Sequence, residues 1–292
     1  MPLLTRRNLL LGGGAAALAG AGGGAYAGYI EPAVRLVVTP YAPAVPDWPA
    51  DLALTIAVIS DTHAGGPNMG LARIEEIVAT ANALAPDIIV HLGDHEATHP
   101  FSTEHVPPAA WSAALSRLAA PLGVFTILGN HDWWENAEAV RAAVLATGHR
   151  FLENDAVLLE KNGRRFWVAG LGDQIAHHVG RHRFRGVDDL PGTLAQLDTD
   201  DPAILLVHEP DIFVQVPPRI ALTLAGHTHG GQIHLPGLPN PFVPSAYGDR
   251  FRYGHIVEDG RHLIVSGGLG TSRIPVRFGV PPEIVLVRLG AA

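Results

Sequence analysis

Five apolar runs in this chain, each the length of a buried strand, end on aspartate, asparagine or histidine. Residues 52–60 run into Ser60-Asp61-Thr62-His63, residues 87–92 into Gly93-Asp94-His95, and residues 123–128 into Gly129-Asn130-His131-Asp132. Residues 203–207 run into His208-Glu209-Pro210, and residues 221–225 into Gly226-His227-Thr228-His229. One such ending is an ordinary capped turn, because Asp and Asn suit turns. Five in one chain call for a fold that gathers strand ends. Burying so many polar groups together is costly unless cations satisfy them. In α/β sheets the carboxyl ends of the strands line one ligand crevice.

The intervening sequence supports such a sheet. Helical spacing predicts helices over 71–84, 108–118 and 135–148, each between apolar runs. That β-α-β alternation predicts parallel strands. The second half holds fewer helices. Residues 156–171 read as a hairpin turning at Asn162-Gly163. AILLVH, ALTLAGH, HLIVSGG and EIVLVRL read as four more strands. Two mixed sheets packed together with helices outside account for the pattern.

Composition narrows the chemistry. A chain of 292 residues fits one large domain or two small ones, and 47% apolar residues give an ample core. Without cysteine there is no thiolate site, cysteine nucleophile or disulfide. Sixteen histidines are many, and imidazole is the commonest metal ligand. A net charge of −8, with no Lys/Arg run interleaved with aromatics, argues against specific nucleic-acid binding. No P-loop, GxSxG or Rossmann signature occurs, so nucleotide-driven transfer and serine hydrolysis have no support.

Residues 1–30 read as a targeting segment. Arg6 and Arg7 precede a stretch without charge from Leu9 to Ala27, and Ala25-Tyr26-Ala27 suits signal peptidase. Thr5-Arg6-Arg7-Asn8-Leu9-Leu10 resembles the twin-arginine consensus. The expected partner is the twin-arginine export machinery, and the expected location is the periplasm or the outer face of the cytoplasmic membrane. A retained anchor is the alternative, weakened by the many glycines. Residues 31–50 are a Pro-rich lead-in strand and linker, and 51–292 form the main domain.

Taken in order, D-x-H, G-D, G-N-H-D, H and G-H-x-H resemble the calcineurin-like metallophosphoesterase superfamily, over about residues 54–288. GHTHGGQ, His208-Glu209-Pro210-Asp211, SGGLGTSRIPVRF, PPEIVLVRL and Glu31-Pro32 resemble its exported bacterial branch of YkuE/YaeI-type phosphodiesterases. The resemblance implies a four-layer α-β-β-α sandwich of two mixed sheets flanked by helices. It also implies two divalent metal ions. Asp61, His63 and His229 would hold the first, Asn130, His208 and His227 the second, and Asp94 would bridge them. A hydroxide between the ions would attack phosphorus in line, and His131 would protonate the departing oxygen. Nitrogen and oxygen donors without sulfur suit Mn, Zn, Fe or Co. His234 lies beyond the motif and is expected to be structural or pocket-lining.

The sequence departs from the family pattern in three places. His95-Glu96 follows Gly93-Asp94 where relatives have an aromatic or small apolar residue. No aspartate evidently orients His131, and Asp132 is a poor candidate because neighbouring side chains diverge. Ser266-Gly267-Gly268 stands where Ser-Arg-Gly is common, which leaves phosphate contact to Arg273 or Arg277. Surface salt bridging is the competing reading for both arginines.

Residues 97–108 and 235–251 form Pro-rich loops expected to rim the pocket. Phe101, Phe242 and Tyr247 would hold an apolar leaving group there or pack the loops themselves. Residues 177–190, basic and His-rich, are expected to cover the site, approach an anionic membrane or stay a solvated loop. The expected substrate is a cell-envelope phosphodiester, such as a phospholipid or lipid-linked diphosphate. The alternatives are an exported phosphomonoesterase or nuclease on the same core, and a non-catalytic metal-binding scaffold.

Overall fold

The computed structural model describes residues 20–97, 101–181, 183–240 and 243–290. The twin-arginine motif and Phe242 lie outside the described residues. The first half runs β1 (Val37–Tyr41), β2 (Leu54–Ile59), α1 (Leu71–Ala83), β3 (Ile88–His91), α2 (Pro108–Leu115), β4 (Val124–Thr126), α3 (Asn130–Ala146) and β5 (Arg150–Phe151). The second runs β6 (Asp155–Lys161), β7 (Arg164–Gly170), β8 (His177–Gly180), β9 (Arg183–Arg185), α4 (Leu190–Leu194), β10 (Ala203–Leu206), β11 (Ile220–Ala225), β12 (Gly254–Glu258), β13 (Arg261–Val265) and β14 (Glu283–Leu289).

One sheet has the order β1-β14-β2-β3-β4-β5 and the other β12-β13-β11-β10-β7-β6. Each contains a block of four parallel strands, β2 to β5 and β13-β11-β10-β7. Antiparallel partners flank the blocks: β14 on β2, β12 on β13, and β6 on β7. Strands such as β3 (IIVH) and β10 (AILL) are buried throughout, as strands covered on both faces must be.

Between the sheets, Ile56, Val58 and Val90 meet Phe166, Val168, Ile204 and Leu222. On the far face of the first sheet, Ala57, Ile59 and Ile89 pack under Ile74, Trp111 and Val140 from α1, α2 and α3. On the far face of the second, Ala169, Leu205 and Val265 pack against Leu190 of α4 and Phe213 of the 3-10 turn Pro210–Gln215. The architecture is the expected α-β-β-α sandwich, with a thin fourth layer.

Local chemistry accounts for the details. The β6–β7 turn places Asn162 at φ 53° and Gly163 at φ 77°, the paired positive φ of a tight hairpin. Helix α3 begins at Asn130, earlier than the helical spacing predicts, because the Asp132 carboxylate caps its start by accepting from the Gly129 amide (3.0 Å). The lead-in contributes strand β1, parallel to β14. Before it, Tyr26–Val34 forms a π-type helical segment packed on the fold. Ala27 O accepts from Arg277 N (2.9 Å), and buried Glu31 accepts from Val280 N (2.7 Å). No helix among the described residues is long and apolar enough to cross a membrane.

Candidate metal centre

All seven expected ligands follow the carboxyl ends of parallel strands, and the structure brings them together. Asp61 and His63 follow β2, Asp94 follows β3, Asn130 follows β4, His208 follows β10, and His227 and His229 follow β11. Six of the seven are buried, and His227 is partly open. His63 Nε2 lies 3.1 Å from His229 Nε2, and His229 Nε2 lies 3.5 Å from Asp61 Oδ1. His208 Nε2 lies 3.2 Å from both Asp94 Oδ2 and Asn130 Oδ1, and His227 Nδ1 lies 2.8 Å from Asn130 Oδ1. Asp94 Oδ2 is also 3.5 Å from His63 Nε2, so this carboxylate faces both groups.

The backbone bends sharply to achieve this. Asp61, His63, Asp94, His227 and His229 all have positive φ, from 45° to 69°. Each costs about 1–2 kcal/mol for a residue with a side chain, so the surroundings must hold it. Asp61 N donates to Gly93 O (3.1 Å), His63 N to Asp94 O (3.0 Å) and Gly270 N to Asp61 O (2.7 Å). Gly226 is needed for a different reason. A Cβ there would fall on Ser60 Oγ and lie 2.7 Å from Asp61 Oδ2. Glycines alone do not shape the GHTH turn, since the histidines themselves carry the left-handed conformation.

The donor set fits divalent cations. His63 Nδ1 contacts Glu96 O (2.9 Å) and His208 Nδ1 contacts Leu92 O (2.6 Å). Carbonyls only accept, so a ring proton sits on each Nδ1, and without a second proton each Nε2 would turn its lone pair toward the Asp94 carboxylate. Lone pairs facing a buried carboxylate at such distances need a positive charge between them. Burial alone would raise Asp94, yet the charges of His208 and His131 and the His208 hydrogen bond hold its carboxyl well below the usual range. His208 is pushed well above its ordinary value by Asp94, against the effect of burial. Such a pair is built to share a proton or a cation. Asp61-His63-His229 and Asp94-His208-His227 each bring three ligand atoms within 4.8 Å of one another.

His131 stands beside the cluster and lines an adjoining cavity. Its ring abuts His63 (centroids 4.8 Å) and Trp134 (5.1 Å), and its Nε2 lies 3.3 Å from Ser272 Oγ. Its amide donates to Asp94 Oδ1 (2.8 Å). Burial pushes the ring pKa down to about 3. Asp132 does not orient it. The Asp132 carboxylate instead accepts from the amides of His95 (2.7 Å), Glu96 (3.3 Å) and Gly129 (3.0 Å), and bonds His95 Nδ1 (2.8 Å). His234 stands outside the cluster, its amide bonded to Phe278 O (2.7 Å).

The two arginines expected at the phosphate part company. Arg273 is exposed and lines the cavity. Arg277 is wholly buried and absent from the cavity wall. Its guanidinium donates to the carbonyls of Gly267 (2.9 Å), Gly270 (2.8 Å) and Val280 (3.0 Å) and to His229 Nδ1 (3.2 Å). It is neither a phosphate ligand nor a surface ion pair, but a brace behind His229.

Sequence reasoning also missed Asp173 and the part played by Glu209. Both are buried beside His208, and among the described residues Asp173 Oδ2 and Glu209 Oε1 meet no donor group. Burial, then the Glu209 charge, pushes the Asp173 carboxyl well above its ordinary value. The available signal was a sixth strand end, since β7 finishes Gly170-Leu171-Gly172-Asp173.

Comparison with known proteins agrees with this geometry. The family described as calcineurin-like phosphoesterase matches residues 54–231. The chain is 33% identical over 237 residues to the "Uncharacterized metallophosphoesterase YkuE" of Bacillus subtilis (strain 168), covering 80% of this chain and 78% of that protein. It is 29% identical over 226 residues to "Phosphodiesterase YaeI" of Escherichia coli (strain K12), covering 75% and 76%. Among solved structures, a 5'-nucleotidase precursor from Thermus thermophilus aligns at 13% identity with a TM-score of 0.49, over 75% of this chain and 49% of that one. The chain spans about half the length of that structure, and the likeness is too slight to bear on activity.

Proposed function

The chain belongs to the calcineurin-like phosphoesterase family, a metal-dependent group of phosphoester hydrolases, and on that premise we propose that it cleaves a phosphodiester bearing an apolar group. One observation carries this reading. A cavity of about 830 Å³ opens from Asn130, His131 and His227 and continues between Trp134, Phe184 and Ile274. Such a cleft suits a substrate with phosphate at one end and hydrocarbon at the other. Among the described residues, Arg273 is the only guanidinium lining it. One cation matches the single charge of a diester better than the double charge of a monoester. A nuclease would need a basic track for its strand, and the net charge of −8 argues against one. The name of the E. coli relative, a phosphodiesterase, supports the same choice.

Asp61, His63, Asp94, Asn130, His208, His227 and His229 would hold divalent cations, which when bound would supply Lewis acidity to the phosphoryl group. The remaining steps are done by the chain's own side chains. Trp134 and His63 fix the His131 ring, and the amide bond to Asp94 ties it to the shared carboxylate. His131 rests neutral because of its burial. An anionic phosphoryl group beside it favours the imidazolium, which then protonates the leaving oxygen. Arg273, which lines the same cavity, orients the phosphate.

The proposal includes export by the twin-arginine route and work in the periplasm or at the outer face of the cytoplasmic membrane, which Thr5 to Leu10 support. Turnover of the metal-loaded protein against bis(4-nitrophenyl) phosphate, 4-nitrophenyl phosphate, DNA and a short-chain phospholipid tests it. Bis(4-nitrophenyl) phosphate and the phospholipid should be cleaved fastest, and KM should fall as the acyl chain lengthens. Preference for the monoester or DNA, or a KM indifferent to chain length, overturns it.

A further inference from the structure

We propose that the β8–β9 hairpin at the cavity mouth docks this protein on an anionic lipid bilayer; the idea rests on the reading that the substrate carries an apolar group. The hairpin exposes Arg181, Arg183 and Arg185. Their side chains make no hydrogen bond or ion pair among the described residues. Other surface arginines do: Arg117 pairs with Glu75, Arg164 with Asp51 and Arg250 with Glu258. In a chain of net charge −8, three unpaired guanidinium groups on one short ribbon form a cationic patch against the general field.

Apolar side chains are interleaved with these charges. Val179 is 49% exposed and Phe184 38%. The Phe184 ring stacks on Trp134 (centroids 5.7 Å) and lines the cavity, which fixes the hairpin at its mouth. Ile274, which also lines the cavity, is 39% exposed, beside exposed Arg273. Exposed hydrocarbon mixed with unpaired cations suits an anionic bilayer, where headgroups meet the charges and the apolar tips enter the interface. A nucleic acid would satisfy the arginines but leave Val179 and Ile274 without a partner.

The N-terminal segment approaches from the same wall. Ala27, which ends the charge-free stretch from Leu9, accepts from the amide of Arg277. The Tyr26 ring meets Phe278 (5.9 Å), and Phe278 pairs with Ile233 of the cavity wall. An apolar leader in the membrane would thus be held near the mouth that the hairpin presents.

The full metal-loaded chain and its Arg181→Gln/Arg183→Gln/Arg185→Gln variant are sedimented with vesicles of phosphatidylcholine, alone or mixed equally with phosphatidylglycerol. Because the leader is the same in both proteins, the readout is the ratio of binding to the two vesicle types. The unaltered chain should prefer the anionic vesicles, and the variant should lose that preference by about a hundredfold, at roughly a fivefold loss per arginine removed. Its turnover of bis(4-nitrophenyl) phosphate should be unchanged. Equal ratios for the two proteins overturn the proposal, as does tighter binding of the hairpin to a DNA duplex than to anionic vesicles. Preference for anionic vesicles without phospholipid turnover leaves docking in place and removes the substrate reading. Turnover of detergent-dispersed phospholipid without vesicle binding does the reverse.

Discussion

Arg277 Nη2 lies 3.2 Å from Nδ1 of His229, with both groups buried. Burial pushes the Arg277 pKa down to about 10, so it remains charged at neutral pH. Replacing it with Met strips three carbonyls and the imidazole of their donor. Removing one member of a buried charge network costs about 3 kcal/mol or more. Arg277→Met should therefore lower Tm by roughly 10 °C and reduce bound metal. Arg273→Ala, at an exposed position, should leave Tm within roughly 2 °C and raise KM for phosphate esters. Thermal unfolding and metal analysis of the two variants check this. Matching behaviour would mean that burial does not separate their roles.

His131 touches the cavity and the cluster; its ring comes within 4.8 Å of the ligand atoms of His63 and Asp94, but it is not one of the seven expected ligands. His131→Asn should keep its metal and its Tm. The loss of a positioned acid should lower kcat by about 10²–10⁴-fold for an alkyl leaving group. With 4-nitrophenolate, which departs without needing a proton, the loss should shrink toward tenfold or less, by the same argument. The comparison of the two leaving groups is the measurement. An equal loss for both would assign His131 to binding rather than proton donation.

Asp132 joins the loop after β3 to the start of α3, and so fixes Asp94 relative to Asn130. Its carboxylate receives three amide N–H groups and one imidazole. An Asn side chain turns an NH₂ toward donors that expect an acceptor. Each unsatisfied buried donor costs about 1–3 kcal/mol. Asp132→Asn should therefore destabilise the protein by at least about 2 kcal/mol in urea unfolding. The variant protein that remains folded and metal-loaded should keep more turnover than His131→Asn. A Tm unchanged by Asp132→Asn would show that the four contacts are replaceable.

The strand ends were legible because each ligand follows directly on an apolar run, where position along the chain implies position in space. The Asn162-Gly163 hairpin was legible for the same local reason. Legibility fails where the partner is distant in sequence. Asp132 and His95 are separated by 37 residues, and nothing near either predicts their pairing. Arg277 reads as a phosphate contact or a surface ion pair, because arginine usually is one or the other; only the carbonyls of Gly267, Gly270 and Val280, gathered by the fold, make its burial tolerable. The β8–β9 ribbon carries no apolar alternation and therefore reads as a loop. The left-handed φ of Asp61 and His229 has no local signature, since it is imposed by loops packing on one another.

His149 gives the protein a dependence on acid that is separate from its candidate ligands. It sits in a small recess with His91, His95 and Trp111, and its Nε2 has no hydrogen-bond partner among the described residues. Burial, then the charge of His95, pushes its pKa from 6.5 down to about 4. The folded chain therefore disfavours the charged ring, while the unfolded chain accepts a proton below 6.5. Its contribution to stability is fully present above pH 6.5 and is lost as pH falls from 6.5 to 4. His149→Gln removes this titrating group. Urea unfolding of both proteins at a series of pH values should give a steeper decline for the unaltered chain across that window, and parallel curves above it. Parallel curves throughout would show that His149 takes up its proton without cost in the folded state.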